Sequence, residues 1–201
     1  MNIAVLISGR GSNLQALIAA ARQDALGGRI AIVIANRADA EGLTHARAAG
    51  IETLVMPHGT YSSREAYDLA LVEALRARQV TFVCLAGFMR LVSHVLCDAF
   101  PNAILNIHPS LLPAFPGADA QRQALEHGVT VTGVTVHFVT PELDAGPIVL
   151  QAPVPVEPGD TVESLSARLL SVEHRVYPEA VRLVLGGGLQ IDGRRVVRAP
   201  R

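Results

Sequence analysis

The sequence predicts an α/β fold, a doubly wound and mostly parallel sheet of about seven strands flanked by helices. Three observations carry that expectation. Residues 1–7, 29–35 and 80–86 are apolar at all but one position each, as expected of strands covered on both faces. After the first run, apolar residues return at helical spacing, at Leu14, Leu17, Ile18 and Ala21. Half of the 201 residues are hydrophobic, enough to bury the core of one large domain or two closely packed halves.

In chain order, strand 1–7 passes through the turn Ser8-Gly9-Arg10-Gly11-Ser12 into that first helix. Residues 29–35 form the second strand, 41–49 a short alanine-rich helix and 51–56 a third strand. Ser62 and Glu65 stand at capping-box spacing and open a helix running to about Gln79. Residues 80–86 make the fourth strand, and the β-α-β-α-β-α-β order calls for parallel pairing with right-handed crossovers. Past residue 100 the pattern changes. Strand 103–108 leads into a proline-rich loop, and a helix at 120–127 stops at Gly128. Residues 130–139 alternate, with Val134, Val136 and Phe138 on one face and Thr135, His137 and Val139 on the other. Loop 140–146 precedes a strand at 147–155. A long helix begins at Asp160 with the stripe Leu165, Leu169, Val172 and Val176, and Pro178 should kink or interrupt it. A small hairpin closes around Asp192-Gly193. No linker or repeat divides the chain. It therefore reads as a single domain, 1–201, with a mononucleotide-binding half, 1–100, and a half carrying the chemistry, 101–201. The two share one sheet, with the site in the crevice at the strand C-termini.

Charge and composition exclude several functions. Seventeen basic against eighteen acidic residues leave no footprint for nucleic acid or an anionic membrane. No apolar run approaches the roughly 20 residues of a membrane helix, and the N-terminus enters a strand without signal-peptide features. Cys84 and Cys97 lack metal-ligand or redox spacing and read as buried thiols of a cytosolic protein. The expectation is a soluble cytoplasmic protein without nucleic-acid or membrane partners.

Residues 104–117 are the most informative stretch. An apolar run delivers Asn106 and His108 two residues apart, hence on one face of a strand, and three prolines with Gly117 then forbid regular structure. An amide beside an imidazole can polarise a carbonyl or hold an oxyanion, and the imidazole can also move a proton. A histidine that merely anchors the loop to a carbonyl is the alternative. The Ser8–Asn13 turn, between strand and helix, could bind a phosphate through backbone N–H groups. It is no dinucleotide fingerprint, because Leu14 replaces the third glycine and Asn36-Arg37 follow the second strand. A single phosphate fits better, and a packing turn capped by Ser12 or Asn13 is the competing reading. Asp144 lies in Thr140-Pro-Glu-Leu-Asp-Ala-Gly-Pro147; it either belongs to a plain turn or pairs with His108 to hold the charged ring. His137, one strand upstream, either supports the site from behind or belongs to the core, and the structural reading is favoured. Residues 87–92 could line a pocket for a flat heterocycle or be ordinary core.

Taken together, Ser8-Gly-Arg-Gly-Ser-Asn-Leu-Gln, Leu85-Ala-Gly-Phe-Met-Arg, Asn106-Ile-His-Pro-Ser-Leu-Leu-Pro, His137-Phe-Val-Thr and Leu143-Asp-Ala-Gly-Pro-Ile closely resemble the phosphoribosylglycinamide formyltransferases of purine biosynthesis, over nearly the whole chain. The resemblance implies the formyltransferase fold with a Rossmann-like N-terminal half. It also implies transfer of a formyl group from 10-formyltetrahydrofolate, a co-substrate, to glycinamide ribonucleotide, with no metal. By position, Asn106, His108 and Asp144 would be catalytic. Gly11, Ser12 and Asn13 would hold the phosphate and Glu173 the ribose. Met89, Arg90, Leu91 and Val92, with Thr140, Pro141, Glu142 and Leu143, would clasp the folate ring, and Arg64 and Arg90 would meet its glutamate tail. The protein would work as monomer or homodimer. Three positions depart from the pattern. Asp119 and Gln121 stand where relatives often carry histidines, and Leu170 stands where some are polar, so phosphate affinity would rest more on the glycine turn. Other readings are a formyltetrahydrofolate deformylase, with water replacing the amine, and a non-catalytic nucleotide-binding module.

Overall fold

The computed structural model describes residues 1–198. One sheet runs through it in the order β3-β2-β1-β4-β5-β6-β7-β9-β8, nine strands among the described residues. The first five of that order are β3 (Glu52–Val55), β2 (Arg29–Ala35), β1 (Asn2–Ile7), β4 (Phe82–Leu85) and β5 (Ile104–His108), all parallel. The direction then reverses. β6 (Val131–Phe138) is antiparallel to β5, and β7 (Ile148–Pro155) is antiparallel to β6. The hairpin β8 (Leu189–Asp192) and β9 (Arg195–Arg198) docks on β7 through a single register pair, Ile148 with Arg195. That docking takes the sheet from the expected seven strands to nine.

Alternation in β1 divides the core. Ile3, Val5 and Ile7 face α1 (Ser12–Arg22), α2 (Gly42–Ala48) and α6 (Val162–Leu185), whereas Ala4 and Leu6 face α3 (Arg64–Arg76) and α4 (His94–Ala99). α5 (Ala120–Glu126) sits beside α6. The helix α4 is absent from the sequence reading. It has six residues, is capped by Ser93, and buries only Leu96, too little for a periodic signal. The cap of α3 is Ser63, whose hydroxyl accepts from the Ala66 N–H, one residue beyond the expected Ser62.

α6 runs unbroken through Pro178. The proline costs the helix one N–H, the partner of the His174 carbonyl. Buried Leu165, Leu169 and Glu173 before it, with Ala180 and Val181 after it, hold both segments on the sheet. Of the cysteines, Cys84 is fully buried, which pushes its thiol up to about 12, while Cys97 is only half-buried. No helix among the described residues is long and apolar enough to cross a membrane.

Candidate active site

Strand register assembles the site. In the β5–β6 ladder Asn106 lies opposite His137 and His108 opposite Thr135; in the β6–β7 ladder Thr135 lies opposite Gln151. Directly opposed residues share a face, so two polar rows, Asn106–His137 and His108–Thr135–Gln151, cross one side of the antiparallel part of the sheet. The loop that follows β5 and the loop that follows β6 both fold over these rows. Asp144 comes from the second loop, in a left-handed conformation at φ 48°. Gly146 lets that loop turn back, since a Cβ there would overlap the Phe138 carbonyl.

Hydrogen bonds orient the two rings. His108 Nε2 lies 2.8 Å from the Phe115 carbonyl oxygen, which can only accept, so Nε2 carries a hydrogen. Nδ1 lies 3.4 Å from Asp144 Oδ2, and a carboxylate likewise only accepts. An acceptor therefore faces each nitrogen of the ring. Asp144 Oδ2 takes a shorter bond, 2.8 Å, from the Gly117 N–H, so its contact with Nδ1 is the looser of the two. His137 Nδ1 donates to the Phe138 carbonyl at 2.8 Å, and its Nε2 lies 3.3 Å from Asn106 Nδ2 and 3.6 Å from Asp144 Oδ1. Burial opposes the Asp144 charge. The His137 ring, the Gly117 N–H and the His108 charge outweigh it and hold the carboxyl below the usual carboxylate range.

The glycine turn ends in Gly11 at φ 74°, where a Cβ would sit 2.6 Å from Gly42 Cα. Close backbone packing therefore requires glycine there. No side chain caps α1, so the first N–H groups of the helix are left for another acceptor. Asn13 Nδ2 instead donates to Glu173 Oε2 at 2.6 Å, and Asn13 Oδ1 is buried without a partner. Burial drives the Glu173 carboxyl above its usual range against that one bond. Tyr177, one turn further along α6, shares its single hydroxyl hydrogen between the Leu85 and Leu105 carbonyls, at 2.9 and 3.1 Å, which ties this part of α6 to β4 and β5.

Ser8 ties the turn to the segment after β4, with its Oγ accepting from the Met89 N–H at 2.8 Å. Met89 is 81% exposed, Leu91 49% and Leu143 52%, an apolar rim without a protein partner, while Val92 is buried. Thr140 Oγ1 bonds the Glu142 carbonyl within its own loop, which also holds Pro141. Arg90 lies 4.6 Å over the Tyr67 ring, and Arg64 is 3.6 Å from Glu65. Both guanidinium charges favour an ionised Asp68, although burial prevails and raises that carboxyl. Asp119 is exposed at the left-handed start of α5, and the ion-pair partner of His108 among the described residues is Asp144, not Asp119. Leu170 is half-buried one turn before Glu173.

Two residues escaped the sequence reading, Thr135 and Gln151 in the row of His108, while His137, favoured there as structural, faces Asn106 and Asp144. The alternation of 130–139 put Thr135 and His137 on one face, but only the register shows which residues they oppose. Ser110, the hydroxyl nearest His108 in sequence, donates to the Ala114 carbonyl and is committed to the loop.

An open α/β sheet that gathers an amide, an imidazole and a carboxylate next to a turn with free N–H groups has the make-up of a group-transfer site. Residues 1–181 match the formyl transferase family, and the chain belongs to it. It is 45% identical to the phosphoribosylglycinamide formyltransferase of Escherichia coli strain K12, over 98% of this chain and 96% of that protein. It is 50% identical to the human trifunctional purine biosynthetic protein adenosine-3 over 94% of this chain, but spans only 19% of that longer protein. Among solved structures, glycinamide ribonucleotide transformylase 1 from Symbiobacterium toebii superposes with a TM-score of 0.97 at 60% identity, covering 100% of this chain and 94% of that one.

Proposed function

We propose that this chain transfers the formyl group of 10-formyltetrahydrofolate to the amine of glycinamide ribonucleotide, as a cytoplasmic enzyme of purine biosynthesis. The observation that carries the reading is the placing of His108, whose Nε2 is anchored on a carbonyl and whose Nδ1, carrying a hydrogen in this reading, lies 3.4 Å from a carboxylate. That hydrogen and the second hydrogen of the Asn106 amide are the two donors for the oxygen that becomes negative when the amine attacks the formyl carbon. Each is worth about 3 kcal/mol of barrier. Asp144 keeps the ring charged and, through a water, helps carry a proton from the attacking nitrogen to the leaving one. The reaction as written needs no metal.

Binding follows the same geometry. The free N–H groups at Gly11, Ser12 and Asn13 would take the phosphate, and Glu173 a ribose hydroxyl. The unpartnered Asn13 Oδ1, a buried acceptor, fits a hydroxyl donor beside Glu173. The apolar rim of Met89, Leu91 and Leu143, with Val92 and 140–142, suits the flat folate ring, and Arg64 and Arg90 suit its carboxylate tail. The two halves would act as one domain, ribonucleotide on the first and chemistry on the second, in a monomer or homodimer. The test is conversion of 10-formyltetrahydrofolate to tetrahydrofolate with and without glycinamide ribonucleotide, with formate followed separately. Turnover dependent on the ribonucleotide and free of formate is expected. Formate release without it would make the protein a hydrolase.

A further inference from the structure

We infer that Gln151, acting through Thr135, is a positioning residue that sets the orientation of His108. The inference rests on the formyl-transfer reading for its kinetic consequence, not for its geometry. The Phe115 carbonyl that holds His108 Nε2 belongs to loop 109–117, which has no ladder of its own. Its one internal backbone bond is Ala114 N–H to the Leu111 carbonyl. The loop is tied instead to the row beneath it. Thr135 Oγ1 donates to the Ser110 carbonyl at 2.7 Å and accepts from the Leu112 N–H at 3.0 Å and from Gln151 Nε2 at 2.9 Å. A hydroxyl has one hydrogen and two lone pairs, so these three bonds saturate it. Gln151 Nε2 also donates to the Leu112 carbonyl at 2.9 Å, which uses both amide hydrogens.

The saturation gives Gln151 its leverage. With both lone pairs of Thr135 occupied, the hydroxyl hydrogen can only point to Ser110, and both backbone groups of Leu112 are held. Ser110 Oγ then fixes the Ala114 carbonyl, and the next carbonyl is that of Phe115. The chain of bonds runs Gln151, Thr135, Ser110 and Leu112, Phe115, His108, and it ends by directing Nδ1 towards the substrate side. Thr135 is fully buried, but Gln151 reaches in from an exposed position, so its truncation removes bonds without opening the core. Gly133 makes room for the same loop, since a Cβ there would meet the Leu111 side chain.

The test combines turnover with the nitrogen–hydrogen resonances of protein labelled with 15N-histidine. In wild type, the His108 Nε2–H cross-peak, identified by its disappearance in His108→Ala, is protected from exchange. In Gln151→Ala it should broaden or vanish. The kcat for formyl transfer should fall about tenfold, one hydrogen bond's worth, with the KM for the ribonucleotide within twofold. Thr135→Val should repeat the loss and Thr135→Ser should retain the peak. A Gln151→Ala protein with wild-type kcat and a protected peak overturns the inference. So does a lower kcat with the peak intact, because the loss would then arise elsewhere. If wild type itself transfers no formyl group, the functional reading fails and the cross-peak alone still decides the positioning role.

Discussion

The sharpest test of the charge arrangement is Asp144→Asn. The change is nearly isosteric, and the asparagine carbonyl can still accept the Gly117 N–H, so the loop should keep its place. What is lost is a negative charge 3.4 Å from His108 Nδ1 and 3.6 Å from His137 Nε2, between side chains that are 9% exposed or less. At an effective dielectric near 20, a charge pair at that separation is worth about 5 kcal/mol. Burial of Asp144 works against its charge and returns part of this. A net loss of about 2–3 kcal/mol is reasonable, roughly 30- to 150-fold in kcat/KM at neutral pH. The loss should also depend on pH. A negative charge favours every proton held near it, so without it the deficit should be smallest in acid and grow as pH rises.

The assay is kcat/KM for formyl transfer between about pH 5 and 9, with melting temperatures measured in parallel. The sign on stability follows from the lowered Asp144 carboxyl. A carboxylate held below its unfolded value stabilises the fold above the ordinary range and loses that contribution as pH falls through the folded value. The melting difference between wild type and Asp144→Asn should therefore be full at neutral pH and close below about pH 4. A variant whose rate profile is wild-type in shape, merely scaled or unchanged, would refute the reasoning and leave Asp144 as a turn residue.

Removing one of the two proposed oxyanion donors, by Asn106→Ala or His108→Ala, should lower kcat by about 10²–10³-fold with near-ultraviolet circular dichroism unchanged; near-normal turnover would remove that residue from the mechanism. Glu173→Gln should raise the ribonucleotide KM at least about tenfold while kcat holds, as expected for lost ground-state binding. The same variant should melt higher at neutral pH, because burial drives the Glu173 carboxyl up and its ionisation opposes folding; the gain should fade towards the ordinary glutamate range near pH 4. Gly146→Ala places a Cβ on the Phe138 carbonyl and should displace the 140–146 loop, raising the folate KM and lowering kcat together. A kinetically silent Gly146→Ala would mean that the backbone yields there at little cost.

What the sequence reveals and hides has a physical pattern. Strands β1 and β2 are legible because burial on both faces leaves them apolar at all but one position each, and Asn106 and His108 because a period of two places them together without any tertiary knowledge. The folding back of Asp144 onto His108 is legible only as one of two readings, since the choice depends on a left-handed residue and on the close approach at Gly146. The Asn13–Glu173 bond, which spans 160 positions in sequence, is not legible. The helix is not interrupted at Pro178, because α6 is held by the sheet on both sides of the proline.

The deeper obstacle is register. A one-residue slip of β6 against β5 would send Thr135 and His137 to the opposite face and replace them with apolar neighbours. The sequence carries the alternation but not its phase relative to His108. In the folded protein that phase is set by the apolar side of the ladder, where Val134 and Val136 enter the same core as Leu105 and Ile107. Packing on one face thus fixes the polar row on the other. Asn106 finds His137 and His108 finds Thr135 because valines behind them must be buried, and the chemistry of the site is aligned by a hydrophobic surface that never meets the substrate.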